Sequence, residues 1–162
     1  MDAGCVPMGS YGEEDWVRKE LGNDEGVWAW AMGHLAEPVM IALATNSEDG
    51  PRVRPVTGVL HEGSVYILTS TGDAKVRHLE ADPRFEFYVL VKEEGSTGYV
   101  RYSGKASKVA DPDLRMRVCD SAGFADSYWD GPEDPDLTML LMDINAAEVV
   151  RPGAKGWEML TR

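Results

Sequence analysis

Cysteine and histidine are both scarce in this chain, with two and three copies among 162 residues. Cys5 and Cys119 make no CxxC pair and no disulfide framework, and they read as two free thiols. His34, His61 and His78 fall on different predicted elements without an obvious partner, and the sequence shows no Cys or His metal-ligand spacing and no HExxH helix. The GxSxG elbow, the Walker loop and GxGxxG are missing too, which leaves hydrolytic and metal-dependent chemistry without support.

Positive charge is the next shortage. Lys and Arg number 16 against 28 Asp and Glu, giving a net charge of -12 and a pI near 4.6. Nucleic acid and anionic membrane are therefore excluded as partners, and any anionic ligand must be held by local cations. Apolar runs of membrane-spanning length are lacking, and the start shows no basic stretch followed by an apolar core. The sequence thus predicts neither a membrane segment nor a signal peptide, and a cytoplasmic protein. Its 43% apolar residues suffice for one domain over residues 1–162, with a flexible start at 1–12 and a C-terminal tail at 152–162.

The most informative stretch runs from Val39 to Pro83. Apolar and β-branched residues over Val39–Asn46 predict a strand, broken by the hairpin signal Ser47-Glu48-Asp49-Gly50. A second strand follows over Arg52–Leu60, where Pro55 cannot donate to a ladder and so belongs at an edge or a bulge. After the turn His61–Ser64, Val65–Ser70 is a third strand. Ala74, Val76, Leu79 and Ala81 then follow a helical period, with Asp73 as N-cap and Asp82-Pro83 as the stop. This helix begins just after Thr69, Ser70, Thr71 and Gly72. Hydroxyls, unpaired helix N–H groups and the Lys75 charge make that junction attractive to a phosphate.

Elsewhere, Glu13–Leu21 and Val27–Ala36 read as helices, the second with Trp28, Ala31, Met32 and Leu35 as a core face. Phe85–Lys92 is an apolar strand, Glu93–Gly98 an acidic turn, and Tyr99–Ala110 an alternating strand. A helix over Asp113–Ala122 leads into a loop over 123–136. The acids of that loop do not fit a calcium-binding spacing and read as solvated. Its Phe124, Tyr128 and Trp129 either anchor a partner subunit or line a pocket. The nearly continuous apolar run of Leu137–Ile144, in a final strand reaching Val150, suggests burial on both faces, as at a dimer interface.

The ordered set formed by Arg54-Pro55-Val56-Thr57, Leu68-Thr69-Ser70 and Gly72-Asp73-Ala74-Lys75-Val76-Arg77-His78 resembles the pyridoxamine 5′-phosphate oxidase-like flavoproteins over roughly residues 27–151. That resemblance implies a mainly β fold with flanking helices, an FMN-binding split β-barrel of about six antiparallel strands. It implies a homodimer with flavins between the subunits, and an FMN-dependent oxidoreductase acting on a small-molecule substrate. Arg54, Thr69 and Lys75 take the positions that grip the FMN phosphate, with Pro55, Val56, Thr57, Leu68 and Ser70 beside them. Aligning Gly104-Lys105-Ala106 puts Tyr99 where the family touches the flavin ring, and Trp129 and Trp157 are candidates for the substrate side.

Several positions depart from the family. Ala74 replaces a second basic residue, and Val59 stands where the oxidases have a lysine for the substrate phosphate. The downstream Arg and Ser of that substrate site and the C-terminal Arg-Leu-His segment have no counterpart, so a different substrate is implied. Asp73 replaces a helix-capping serine, and its carboxylate is expected to face away from a phosphate. The same barrel also suits two alternatives: a reductase using the deazaflavin F420, or a non-catalytic binder or sensor of flavin or haem.

Overall fold

The computed structural model describes residues 16–162. The expectations for residues 1–12, for Cys5 and for the first part of the 13–21 helix lie outside the described residues. Eight strands form one sheet: β1 (Val17–Gly22), β2 (Val39–Ser47), β3 (Gly50–His61), β4 (Ser64–Ser70), β5 (Arg84–Glu93), β6 (Ser96–Lys108), β7 (Leu137–Val150) and β8 (Gly156–Thr161). The helices are α1 (Glu25–Gly33), α2 (Ala74–Ala81) and α3 (Pro112–Ala122).

The spatial order is β1-β8-β7-β4-β3-β2-β5-β6, and a further β7–β6 pairing joins the far end back to the middle. The six strands from β7 to β6 thus close on themselves, all antiparallel, and β8 and β1 extend the sheet outside the ring. A split β-barrel with flanking helices is what the sequence predicts, and it is what forms. Closure removes the exposed edges that an open six-stranded sheet would carry.

Alternation explains the core. Phe85, Phe87, Val89 and Val91 of β5 point inward and are buried, whereas the residues between them are not. They meet Ile41 and Leu43 of β2, Tyr102 of β6 and Met142 of β7. The Tyr102 ring is fully buried, and its hydroxyl donates to the Ala31 carbonyl at 2.7 Å, which ties α1 to the barrel. Asp24 caps α1 by accepting from the Val27 N–H at 2.9 Å.

Four expectations need correction. Residues 17–21, expected to be helical, belong to β1, which pairs in parallel with β8. The partner strand lies at the other end of the chain, so no local pattern could reveal it, and the 152–162 tail is likewise strand over Gly156–Thr161. The acidic turn is shorter than Glu93–Gly98, because Glu94 and Gly95 both adopt positive φ (46° and 80°) and β6 starts at Ser96. The two-sided burial of β7 arises within the chain. Leu140 and Met142 face the barrel interior, while Leu137 and Met139 pack with Val118, Cys119 and Ala122 of α3 on the outside.

Candidate functional site

The barrel is split between β3 and β4. Their ladder runs from His61↔Ser64 only as far as Gly58↔Ile67, and beyond it β3 pairs, among the described residues, with β2 alone. Pro55 sits in this unpaired half, opposite Ala42 of β2, so the missing proline N–H costs no ladder bond on the open side. A groove of about 480 Å³ fills the split, within the usual size range of small-molecule sites.

Pro55, Val56 and Thr57 line the groove from β3, and Leu68, Thr69 and Ser70 from the end of β4. Lys75 enters from the first turn of α2. The opposite wall is the segment after α3, where Phe124, Tyr128 and Trp129 stand in sequence. Ring centroids are 6.2 Å apart for Phe124–Tyr128 and 5.6 Å for Tyr128–Trp129. Gly123 ends α3 with φ 69°, the left-handed cap that turns the chain toward the groove. Trp129 is therefore at the site, and Phe124 and Tyr128, which the sequence reading left between two roles, line it as well.

Arg115 holds this wall in place, a role with no signature in the sequence. Its guanidinium donates to the carbonyls of Pro132 (2.7 Å), Val109 (3.2 Å) and Leu137 (3.0 Å). The acids of the loop are not merely solvated, as they were read. Asp134 accepts from the Asp130 and Asp136 N–H groups at 2.9 and 2.8 Å, and these bonds hold its carboxyl below the ordinary range. Asp136 accepts from the Ser70 hydroxyl at 2.9 Å, and its carbonyl accepts from the Thr71 N–H at 2.8 Å, which stitches the loop to β4.

Lys75 is mostly buried, and its ammonium donates to Thr69 Oγ1 at 2.8 Å and to Asp73 Oδ2 at 2.6 Å. Asp73, expected to face away, instead lines the groove. It occupies the N-cap position of α2 without making a side-chain cap bond, and Thr69 also donates to it. The Lys75 ammonium, then the Thr69 hydroxyl, hold its carboxyl below the ordinary range. The stronger attraction of a nearby ammonium over orphan helix N–H groups accounts for the turn.

The structure does not bring Arg54, Tyr99 or Trp157 to this groove. Arg54 stands opposite Leu43 in the β2–β3 ladder, and so on the inner side of β3, whereas Pro55 and Thr57 face out. Its guanidinium donates to Thr45 Oγ1 at 2.6 Å and to His78 Nδ1 at 3.3 Å. Since a guanidinium only donates, His78 Nδ1 must accept, which fixes the neutral ring with its proton on Nε2. Partial burial, then the charges of Arg54, Arg77 and Arg52, holds the His78 pKa below its ordinary value. Of Arg54, Thr69 and Lys75, the groove is lined by Thr69 and Lys75. Tyr99 donates to Glu148 Oε1 at 2.6 Å, alongside Arg101 at 2.8 Å, and also meets Trp157. Trp157 itself lies against Trp16, with centroids 4.7 Å apart and ring planes tilted by 38°, at the β1–β8 edge.

Comparison with known proteins bears on the family and the fold. Residues 32–151 match the family model described as pyridoxamine 5′-phosphate oxidase. The chain belongs to the pyridoxamine 5′-phosphate oxidase-like family. It is a divergent member of that family, and no curated protein sequence matches it. Among solved structures, a NimC/NimA family protein from Clostridium acetobutylicum is similar at 19% identity and a TM-score of 0.71, over 83% of this chain and 92% of that one. General Stress Protein 26 from Bacillus anthracis is similar at 17% identity and a TM-score of 0.68, over 84% and 98% of the two chains. A heme binding protein from Mycobacterium smegmatis is similar at 19% identity and a TM-score of 0.68, over 83% of this chain. The present chain spans 56% of the length of that protein. At these identities the likeness is one of fold. Among the described residues, no helix is long and apolar enough to cross a membrane, and no group of His, Cys, Asp and Glu could hold a metal ion.

Proposed function

We propose that this family member is an FMN-dependent oxidoreductase acting on a small molecule, with the flavin held in the groove between β3 and β4. The observation that carries this reading is the convergence of Pro55, Val56, Thr57, Leu68, Thr69, Ser70 and Lys75, picked from sequence alone, on that one groove. Lys75, Thr69 and Ser70 would hold the phosphate, and Phe124, Tyr128 and Trp129 would stack on or flank the ring. The bound flavin would supply hydride transfer at N5, while the protein orients it and excludes water. A haem-binding role is less favoured, because among the described residues no histidine or cysteine lines the groove and Tyr128 is the one customary haem ligand on its walls.

Titration with FMN, followed by flavin fluorescence, tests the reading. The protein binds FMN, and the bound flavin bleaches with NAD(P)H. Lys75→Ala weakens FMN binding at least about tenfold, since it leaves the phosphate against Asp73 with no cation to offset the repulsion. A protein that ignores FMN, or a Lys75→Ala variant with unchanged affinity, removes the flavin from this groove.

The outer face of β3, β2 and β5 supports a homodimer. Met40, Val53 and Leu90 are 73%, 68% and 60% exposed, and with Tyr88 they surround a hollow of about 440 Å³ that shares Pro55 with the groove. An apolar patch of this kind marks an interaction surface, and a second copy seated there would cover the open side of the cofactor. In sedimentation the protein runs as a dimer and Leu90→Arg shifts it to monomer. A wild-type monomer at micromolar concentration excludes this arrangement.

A further inference from the structure

The anion end of the groove is already filled by the chain's own charges. Lys75 and Thr69 direct their hydrogens to Asp73, and Ser70 directs its own to Asp136. The Lys75 ammonium is therefore matched by the Asp73 carboxylate, and the Ser70 hydroxyl is spent on Asp136. An incoming phosphate must displace Asp73 from Lys75 at 2.6 Å and then lie beside it. Asp73 also leaves the first turn of α2 uncapped, although it stands at the position where a carboxylate ordinarily caps. The side chain is thus committed to the groove and not to the helix.

We propose that Asp73 is the specificity-determining residue of the groove: its carboxylate stands in for the ligand's anion on Lys75, so that the site takes FMN with little preference over a flavin whose tail carries no charge. A dianionic phosphate monoester gains little from Lys75 here, because what the ammonium offers is offset by repulsion from a carboxylate in the same corner. A neutral or singly charged tail loses nothing. Serine or asparagine at position 73 would leave the ammonium free for the phosphate. This inference rests on the groove being a flavin site, and the test separates the two.

The full chain and its Asp73→Asn variant are titrated with FMN and with riboflavin, which share a ring and differ by the phosphate. Wild type shows little preference for FMN. Asp73→Asn tightens FMN about tenfold, the weight of one recovered charged hydrogen bond, and leaves riboflavin unchanged. Asp73→Ser does the same and stands in should the first variant fold poorly. An FMN-to-riboflavin ratio that Asp73→Asn or Asp73→Ser leaves unaltered overturns the proposal, as does wild type that already prefers FMN by more than about tenfold. If neither flavin binds any form, the flavin reading fails on its own, and inorganic phosphate followed by tryptophan fluorescence decides the role of Asp73. Phosphate then binds Asp73→Asn more tightly than wild type, and equal binding overturns the proposal.

Discussion

Gly104→Ala lowers the free energy of unfolding by about 3 kcal/mol, the upper range for forcing an extra methyl into a packed site. A Cβ on Gly104 would lie 1.9 Å from the Asp143 carbonyl oxygen and 2.8 Å from its carbon. Both are backbone atoms, so no side chain can rotate away and the strands themselves must separate. The close approach has a cause in the ladder: Ser103 pairs with Ala146 and Gly104 with Ile144, which leaves Asn145 as the extra residue of a β-bulge in β7. The bulge bends β7, so that its first half serves β4 and its second half β8. Gly104 is not among the glycines with positive φ, so space and not dihedral freedom demands glycine. The gain of about 0.4–1 kcal/mol that a Gly→Ala change draws from the unfolded chain does not offset the clash. Urea unfolding measures the difference, and a variant within about 0.5 kcal/mol of wild type shows that the strands can part there at no cost.

Val118→Asp is the second large effect, with an expected loss of about 3–5 kcal/mol, the cost of an uncompensated buried charge. Val118 is fully buried on the face of α3 that covers Val59, Tyr66, Leu68 and Met139. The side chains of this cluster are apolar, and the Arg115 guanidinium beside it is already spent on the carbonyls of Pro132, Val109 and Leu137. Burial raises the pKa of the introduced acid in the folded state above its unfolded value. The folded form then takes up a proton as the pH falls, and the destabilisation shrinks on going from about pH 7.5 to about pH 5. Because α3 carries the aromatic wall of the groove, ligand binding is lost in parallel. A variant that unfolds within about 1 kcal/mol of wild type, at either pH, means that α3 is not seated as described.

How much of this was legible in advance depends on the range of the interaction involved. The run from β2 through α2 was readable because each element is set by neighbours in the chain. Apolar and β-branched runs mark the strands, Glu62-Gly63 supplies the two positive-φ residues of a tight hairpin turn, and the change of period after Gly72 starts the helix. Seven groove residues could be picked from the same stretch because a β-strand end and the following helix start are adjacent in sequence and in space. The glycine of Gly104-Lys105-Ala106 was visible as a pattern, but its reason, the Asp143 carbonyl, was not. Arg54 was recognisable as a cation on the right strand. Its engagement with Thr45 and His78 depends on which side of β3 faces the barrel at that point.

By itself, the sequence determined the barrel's hairpins, the α2 junction and the chemical types gathered there, because spacing and local propensity act over a few residues. Tertiary structure alone decided that β1 pairs with β8, that β3 and β4 part to open the groove, and that Asp73 turns onto Lys75. In each case the deciding energy comes from a ladder partner or a charge whose position is set only once the barrel closes.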